Sequence, residues 1–230
     1  MASIREQIIR SIVIALRQVS ITNGFNCDIK MIERGRVAFD DSELSAISVL
    51  PGIEVSSRRA GERINTMEVT LRYFKILANT WNPSEIAEKV LADMIIGILG
   101  VRLSCGFNNG SSEIVPGVTI IGDSSGASGK VLSVTLTGGS WVGGNATGTL
   151  VIYYPLSLPF SLGEDLMVAG MARANLSTAL NKIDLYTTSV GDVQYLSGGV
   201  ENYPGTGERI LEVVSKFNFV YSTINDNPYL

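Results

Sequence analysis

The stretch INTMEVTLRYFKIL, residues 64–77, decides the fold of this chain. Its central side chains form two alternating series: Met67, Val69, Leu71 and Tyr73 are largely apolar, and Glu68, Thr70 and Arg72 are polar. A period of two is typical of a β-strand with one buried face. The stretch ILEVVSKFNFVYST, 210–223, repeats the pattern, and the series predicted to face the core is Val213, Ser215, Phe217, Phe219 and Tyr221.

Three shorter stretches are predicted to complete the sheet. One strand is expected near 25–32, where apolar residues again recur at every second position. Another is expected at 46–50, closed by a turn at Pro51-Gly52, because this dipeptide marks turns. The third is GDVQYLSGGVENY, 191–203.

Two helices are predicted before and after the first strands. Ser3 and Glu6 have the spacing of a capping box, S-x-x-E. The apolar face that follows consists of Ile4, Ile8, Ile12 and Leu16. The second helix opens at NPSE, 82–85, with Asn82 as cap and Pro83 in the first turn. Its predicted buried stripe is Ile86, Val90, Met94 and Ile98.

These elements predict an α+β domain: an antiparallel or mixed sheet of four to five strands, packed by two helices. A sheet with helices on one side leaves its other face and its edges uncovered. Such a domain is often completed by further copies of itself.

The middle of the chain differs in composition. Residues 106–178 hold 13 of the 24 glycines but only six Asp, Glu, Lys or Arg residues. We predict that this segment is a small all-β domain, barrel-like or sandwich-like, inserted into an α+β domain formed by 1–105 and 179–230. Insertions are best tolerated at exposed loops whose two ends stay close together.

The loop GDSSGASGKV, 122–131, invites comparison with a phosphate-binding loop. In the G-x-x-x-x-G-K-[ST] pattern, Ser124 would replace the first glycine and Val131 the magnesium-binding hydroxyl. The alternation that follows predicts a strand, whereas phosphate binding needs the N-terminus of a helix there. We therefore interpret the loop as a hairpin connection.

Composition excludes several other chemistries. The chain has no histidine, which removes histidine-based nucleophile pairs and the usual neutral-pH base. Cys27 and Cys105 lie too far apart in sequence for a metal-ligand spacing. Cys27 falls in a predicted strand and is expected to be buried. The sequence leaves open whether the two cysteines form a disulfide. The net charge of −4 argues against a nucleic-acid surface. No secretory signal or membrane-spanning run is predicted.

No catalytic, cofactor-binding or metal-binding residue is predicted. The adjacent carboxylate pairs, Asp40-Asp41 and Glu164-Asp165, are interpreted as solvated loop residues rather than as acid–base pairs. Trp141 and Phe160 are predicted to fill the core of the inserted domain. A carbohydrate-binding alternative would use the aromatic residues Trp141, Tyr153 and Tyr154.

The order of features in 1–105 and 179–230 resembles the tail terminator (tail-completion) proteins of long-tailed bacteriophages. The most specific parts are the LAD helix at 91–93, the Asp-Val-x-Tyr strand entry at 192–195 and the closing Asn-Pro-Tyr at 227–229. The insert is similar to small glycine-rich β modules of phage virion proteins. It shares with them a G-x-x-S-G-A-x-G-x-V turn, a Gly-Ser-Trp turn, a Gly-Thr-Leu strand and a Phe-x-x-Gly-Glu turn.

The resemblance implies a structural virion protein of the phage neck, assembled in the host cytoplasm. It would form a hexameric ring on the head-proximal end of the tail tube, end tail polymerisation and offer a surface to the head–tail connector. Expected partners are further copies, the tail tube protein, the connector and, in a contractile tail, the sheath protein. DNA would pass through without sequence-specific binding. We expect the first helix and the Val37–Leu44 loop near subunit contacts, and the insert to project outward.

Two other functions remain open at the level of sequence. One is a different neck component, such as a head-completion or stopper protein. The other is a virion accessory that binds carbohydrate through the insert.

Overall fold

The computed structural model describes residues 2–59, 62–77, 82–153, 159–186, 189–204, 209–224 and 227–229. The chain divides into two compact units. Unit 1 comprises Met1–Ser20, Asn26–Leu99 and Leu185–Leu230, and unit 2 comprises Ile21–Phe25 and Gly100–Asp184. The two helices and two sheets found in these described ranges place the chain in the α+β class, as predicted.

The described part of unit 1 contains both helices and five strands. In chain order they are α1 (Ile4–Leu16), β1 (Met31–Arg34), β2 (Ala46–Arg59), β3 (Glu62–Ile76), α2 (Pro83–Leu99), then β11 (Val190–Asn202) and β12 (Ile210–Ile224). The sheet order is β1-β2-β3-β12-β11. β1 and β2 are parallel, and the other neighbours are antiparallel.

Alternation along β3 and β12 builds the core of unit 1. The inward series of both strands is buried, as predicted: Met67, Val69, Leu71, Tyr73, Val213, Ser215, Phe217, Phe219 and Tyr221. The two series lie side by side because Phe217 pairs with Val69 and every later pair keeps this register. Both helices pack on this inner face, α1 against β1 and β2, and α2 against β11 and β12.

The predicted capping box of α1 is only half present. Ser3 Oγ accepts a hydrogen bond from the Glu6 amide at 3.2 Å, as an N-cap should. The Glu6 carboxylate does not reach back, because it binds both terminal nitrogens of Arg34 at 2.8 Å and Nε of Arg10 at 2.8 Å. These hydrogen bonds, Arg34 first, lower the pKa of Glu6 to about 2.

The strand predicted near 25–32 is wrong in its extent. β1 begins only at Met31, and a short 3-10 turn occupies Ile21–Asn23. The backbone amides of Asn26 and Cys27 donate instead to Oδ2 of Asp93 on α2, at 2.8 and 2.9 Å. A buried carboxylate thus takes the donors that a neighbouring strand would have used. Cys27 is buried as predicted, but it does not lie on a strand.

The turn predicted at Pro51-Gly52 is also wrong. β2 runs on to Arg59, and the dipeptide begins an irregularity between the Pro51–Val69 and Glu54–Met67 pairs. β1 ends opposite Val49, so β2 is an edge strand beyond that point. A residue without an N–H is tolerated at such an edge, and a bulge keeps the strand going.

The other seven strands of the described chain lie in unit 2. They are β4 (Arg102–Gly110), β5 (Thr119–Gly122), β6 (Ser128–Gly138), β7 (Ala146–Tyr153), β8 (Asp165–Val168), β9 (Met171–Leu176) and β10 (Asn181–Ile183). Their order is β10-β4-β7-β6-β5-β8-β9, and an additional β4–β9 pairing closes six of them into a barrel. Unit 2 is wider than 106–178, because β4 begins at Arg102 and β10 pairs with it.

The interior of this barrel is apolar. Among its buried residues are Phe107, Val131, Leu150, Ile152 and Leu166. Trp141 and Phe160, predicted to fill the core, are partly buried and pack against this cluster. Cys105 is also buried, and both Cys27 and Cys105 are free thiols. The predicted connection at 122–131 is a hairpin between β5 and β6, in which Ile120 pairs with Gly129.

Candidate interaction surface

The outer face of the five-stranded sheet is the side opposite the two helices. The polar series of β3 lies there, and ion pairs link it to β12: the Arg72 guanidinium to Glu212, and Lys216 Nζ to Glu68 Oε1 at 3.8 Å. No helix of unit 1 covers this face in the described part of the chain. It is therefore the surface on which a partner could be bound.

One end of the outer face contains an open groove of about 570 Å³. Its floor is made by the sheet residues Phe74, Ile76 and Ile210, and its wall by the segment 37–44. Val37, Phe39 and Leu44 give that wall an apolar surface. We call this feature the groove.

Local contacts hold the wall in place. The Phe39 ring lies 5.5 Å from the Phe74 ring, and the Arg36 guanidinium covers Phe39 at 4.7 Å. Arg36 also binds Glu43, whose second contact is the Asp40 amide at 2.8 Å. The hydrogen bond from Arg36 is the main cause of the lowered pKa of Glu43. The segment is therefore folded back on the sheet by its own charges.

Charged side chains surround the apolar floor. Asp41 and Glu212 contribute negative charge, and Arg209 contributes positive charge. Asp41 and Arg209 are exposed. The groove thus combines an apolar centre with a polar rim, which is the usual anatomy of a protein–protein interface.

The opposite end of the same sheet carries exposed apolar side chains. Ile53 and Val55 on β2 are 84% and 68% exposed. Val55 pairs with Thr66, which pairs with Val220, so these three residues form one row of the outer face. We call residues 53–59 with 62–66 the arm.

The two sheet edges differ in length. β1 has four residues, whereas β11 has thirteen and pairs only with β12 in the described part of unit 1. Three register irregularities interrupt the β11–β12 ladder. Bulges of this kind are a common way to protect an open edge from uncontrolled pairing.

The structure separates the two carboxylates of Glu164-Asp165. Glu164 is only 7% exposed, and it accepts hydrogen bonds from the amides of Ser124, Ser125 and Ser161 at 2.6 to 3.2 Å. Asp165 instead accepts from the side-chain amide of Asn175. The prediction of a solvated pair is wrong for Glu164, but the two groups do not converge as an acid–base pair would.

The 122–127 loop therefore does surround an anion, and the anion is the protein's own. The hydroxyls of Ser124 and Ser125 add two hydrogen bonds to Glu164, each at 2.9 Å. Burial opposes ionisation of Glu164, but the hydrogen bonds outweigh it and its pKa is lowered. A loop that resembles a phosphate cradle is thus occupied from within unit 2.

Asp40 and Asp41 have different structural roles. The Asp40 amide donates a hydrogen bond to the Glu43 carboxylate, which closes the short 3-10 turn Asp41–Glu43, and Asp41 lies on the groove rim. Within the described residues there is no group of three or more His, Cys, Asp or Glu residues that could hold a metal ion.

Two of the three aromatic residues of the carbohydrate-binding alternative, Trp141 and Tyr153, are described, and they do not form one platform. Trp141 stacks on Phe107, with ring centroids 5.1 Å apart, so one of its faces is covered. Tyr153 pairs with Arg102 at the far end of β7, seven positions from Ala146 near Trp141. Tyr154 lies outside the described residues. Trp141 and Tyr153 are about 20 Å apart along the strand direction.

The chain matches no protein-family model, and no curated protein matches it significantly. No helix in the described ranges has both the length and the apolar character needed to cross a membrane.

The Val37–Leu44 loop, which is expected near subunit contacts, forms the wall of the groove; the subunit contact itself stays a prediction. Ile53 and Val55 were missed because a turn was predicted just before them. Their alternation with Glu54 was the available signal for a continuing strand.

Proposed function

We propose that this protein is a tail terminator of a long-tailed phage. Six copies would form a ring on the head-proximal end of the tail tube, stop tube growth and receive the head–tail connector. DNA would pass through the ring without sequence-specific contacts. The finer architecture belongs to the same proposal: a host domain of four to five strands and two helices, with unit 2 as its inserted β module.

The observation that carries this proposal is the one-sided covering of the unit 1 sheet. Both helices pack on the inner face, while the outer face has an apolar groove at one end and exposed Ile53 and Val55 at the other. Apolar side chains exposed in this way mark interaction sites. A protein whose work is assembly needs such surfaces and no converging reactive groups.

A ring also explains how shallow contacts can be sufficient. Each subunit contact in a closed ring is made at a high effective concentration once the neighbouring contacts exist. A weak contact repeated around an axis therefore gives a stable assembly. Ending polymerisation then needs one ring surface that accepts the tube and another that cannot accept a further tube subunit.

We predict that the purified protein is a hexamer of about six times the 24.7 kDa chain mass. Light scattering coupled to size exclusion gives the mass, and negative-stain microscopy gives the shape. A six-membered ring with a central channel is the expected result. A stable monomer at tens of micromolar would contradict the proposal.

The role in the virion is tested by removing the gene from the phage. We expect tails of irregular length that do not join heads, seen by electron microscopy of lysates. Restoring the protein in trans should restore tail length and joining. Tails of normal length without the protein would refute the terminator role, and a defect limited to the head would favour a head-completion protein.

A further inference from the structure

We infer that the arm of one copy occupies the groove of the next copy, in a repeating head-to-tail contact. This inference rests on the proposed ring and names the surfaces that build it. The occupant of the groove is thus a second copy of this chain.

The apolar parts of the two surfaces complement each other. The arm presents Ile53 and Val55, and the groove presents an apolar floor at Phe74, Ile76 and Ile210. A groove of about 570 Å³ admits several aliphatic side chains. Transfer of large aliphatic side chains from water into such a site is favourable in proportion to the apolar area buried.

The arm cannot reach the groove of its own chain. Both belong to one sheet, and Ala46, which pairs with the groove residue Phe74, lies nine positions before Val55 on the same strand. Nine strand residues span about 30 Å. The two surfaces are therefore held apart by the sheet that carries them both, and only a second molecule can bring them together.

Exposed charges of both signs lie on the groove rim and at the end of the arm, so that opposite charges can be placed across the contact. The groove rim has Asp41 and Arg209, and the end of the arm has Arg58 and Glu62. All four side chains are exposed. Arg58 opposite Asp41, and Glu62 opposite Arg209, would steer and orient the contact, which is the main contribution of rim charges.

This contact is heterologous, because it joins two different surfaces. A heterologous contact repeats from copy to copy and closes into a ring when the rotation allows it. It cannot end at a two-fold dimer, as a contact between identical surfaces would. The arrangement at opposite ends of one sheet is therefore the kind that a ring requires.

The first test uses two variants that each lose one surface. Ile53→Asp/Val55→Asp removes the apolar arm, and Val37→Asp places a charge in the groove wall. Each variant alone is expected to lose the ring and to run as a monomer. Their mixture should form a dimer at high protein concentration, because the intact groove of the first can receive the intact arm of the second and this single contact lacks the support of a closed ring. Circular dichroism checks that each variant is folded.

The second test exchanges the rim charges. Glu62→Arg alone and Arg209→Glu alone should each weaken assembly at least tenfold, measured as the protein concentration at half assembly. The double variant Glu62→Arg/Arg209→Glu should return to within about threefold of the parent. The matched control is Val142→Asp in unit 2, a fully exposed apolar residue outside both surfaces, which should leave the ring intact.

The outcomes separate this inference from the proposed function. A parent protein that forms no ring contradicts the proposed function itself. A parent ring that survives both the arm variant and the groove variant overturns the arm-in-groove contact while leaving the ring standing.

Discussion

Replacing Asp93 by alanine is expected to lower the free energy of unfolding of unit 1 by about 3 kcal/mol. Asp93 lies on α2 and is only 1% exposed to solvent. Its carboxylate accepts three hydrogen bonds. Two come from the amides of Asn26 and Cys27, and the third comes from the side-chain amide of Asn26 at 2.8 Å. Alanine would leave the buried Cys27 amide without an acceptor, and an unsatisfied buried donor is costly.

Urea unfolding, monitored by hydrogen exchange of peptides from β3 and β12, measures this loss in unit 1. Glu88→Ala removes an exposed carboxylate from the same helix and should change stability by less than about 0.5 kcal/mol. Asp93→Asn keeps one acceptor oxygen and should fall between the two. An alanine variant as stable as the Glu88 control would show that Asp93 does not hold the 26–27 segment.

The pH dependence of Asp93 has a definite sign. The pKa of Asp93 is raised above the ordinary 3.8. Burial is the main cause, and it outweighs the hydrogen bonds, which lower the pKa. The folded state therefore binds the proton more tightly than the unfolded state. The corresponding stability is fully present below about pH 3.8 and is lost as the pH rises through the folded pKa. The Asp93→Asn variant should lack this component.

Replacing Glu164 by alanine is expected to destabilise unit 2 by about 3 kcal/mol. The substitution deprives the amides of Ser124, Ser125 and Ser161 of their shared acceptor. It also detaches the β5–β6 hairpin connection from the start of β8. The affected loop includes Gly122, where an added Cβ would lie 2.4 Å from Glu164 Oε1, so carboxylate and backbone are in close contact.

Hydrogen exchange of β5, β6 and β8 peptides, together with urea unfolding, measures the effect on unit 2. Glu113→Ala, an exposed carboxylate of the same unit, is the matched control and should be nearly neutral. Added acetate or formate should restore part of the lost protection in Glu164→Ala, because the amides that bind the carboxylate remain. A variant as stable as the control, with no response to acetate, would refute this role.

Glu164 should respond to pH in the opposite direction to Asp93. Its folded pKa is lowered from 4.5 by the amide and hydroxyl hydrogen bonds. The stability it contributes is therefore present above about pH 4.5 and is lost as the pH falls through the folded pKa. Acidification should thus weaken unit 2 through Glu164 while it relieves the buried charge of Asp93 in unit 1.

The main strands and both helices could be predicted because their signals are local. The inward residues of β12, such as Phe217 and Phe219, alternate with outward residues. This alternation can be recognised in the sequence of the strand alone. The helix that begins at Pro83 could be predicted in the same way, from its N-cap residue and its stripe of apolar residues. Local patterns of this kind do not depend on what the strand or helix packs against.

The features that could not be predicted depend on partners far along the chain. Whether Pro51 ends a strand depends on where β1 stops, which is a property of residues near 34. Whether Asn26 and Cys27 join a sheet depends on Asp93, more than 60 positions away. The groove likewise joins the segment 37–44 to residues near 210. Only the tertiary structure brings these residues together.

The pairing of β4 with β10 has a consequence for how the chain folds. Ile183 lies opposite Arg102, so the first and last strands of the 100–184 segment are held about 5 Å apart. The β3–β12 ladder must close a loop of roughly 130 residues if that segment is still unfolded, but only about 50 once it has formed. The entropic contribution to the free energy of closing this loop is then smaller by about 1 kcal/mol. Early formation of the barrel would thus accelerate the long-range pairing of β3 with β12.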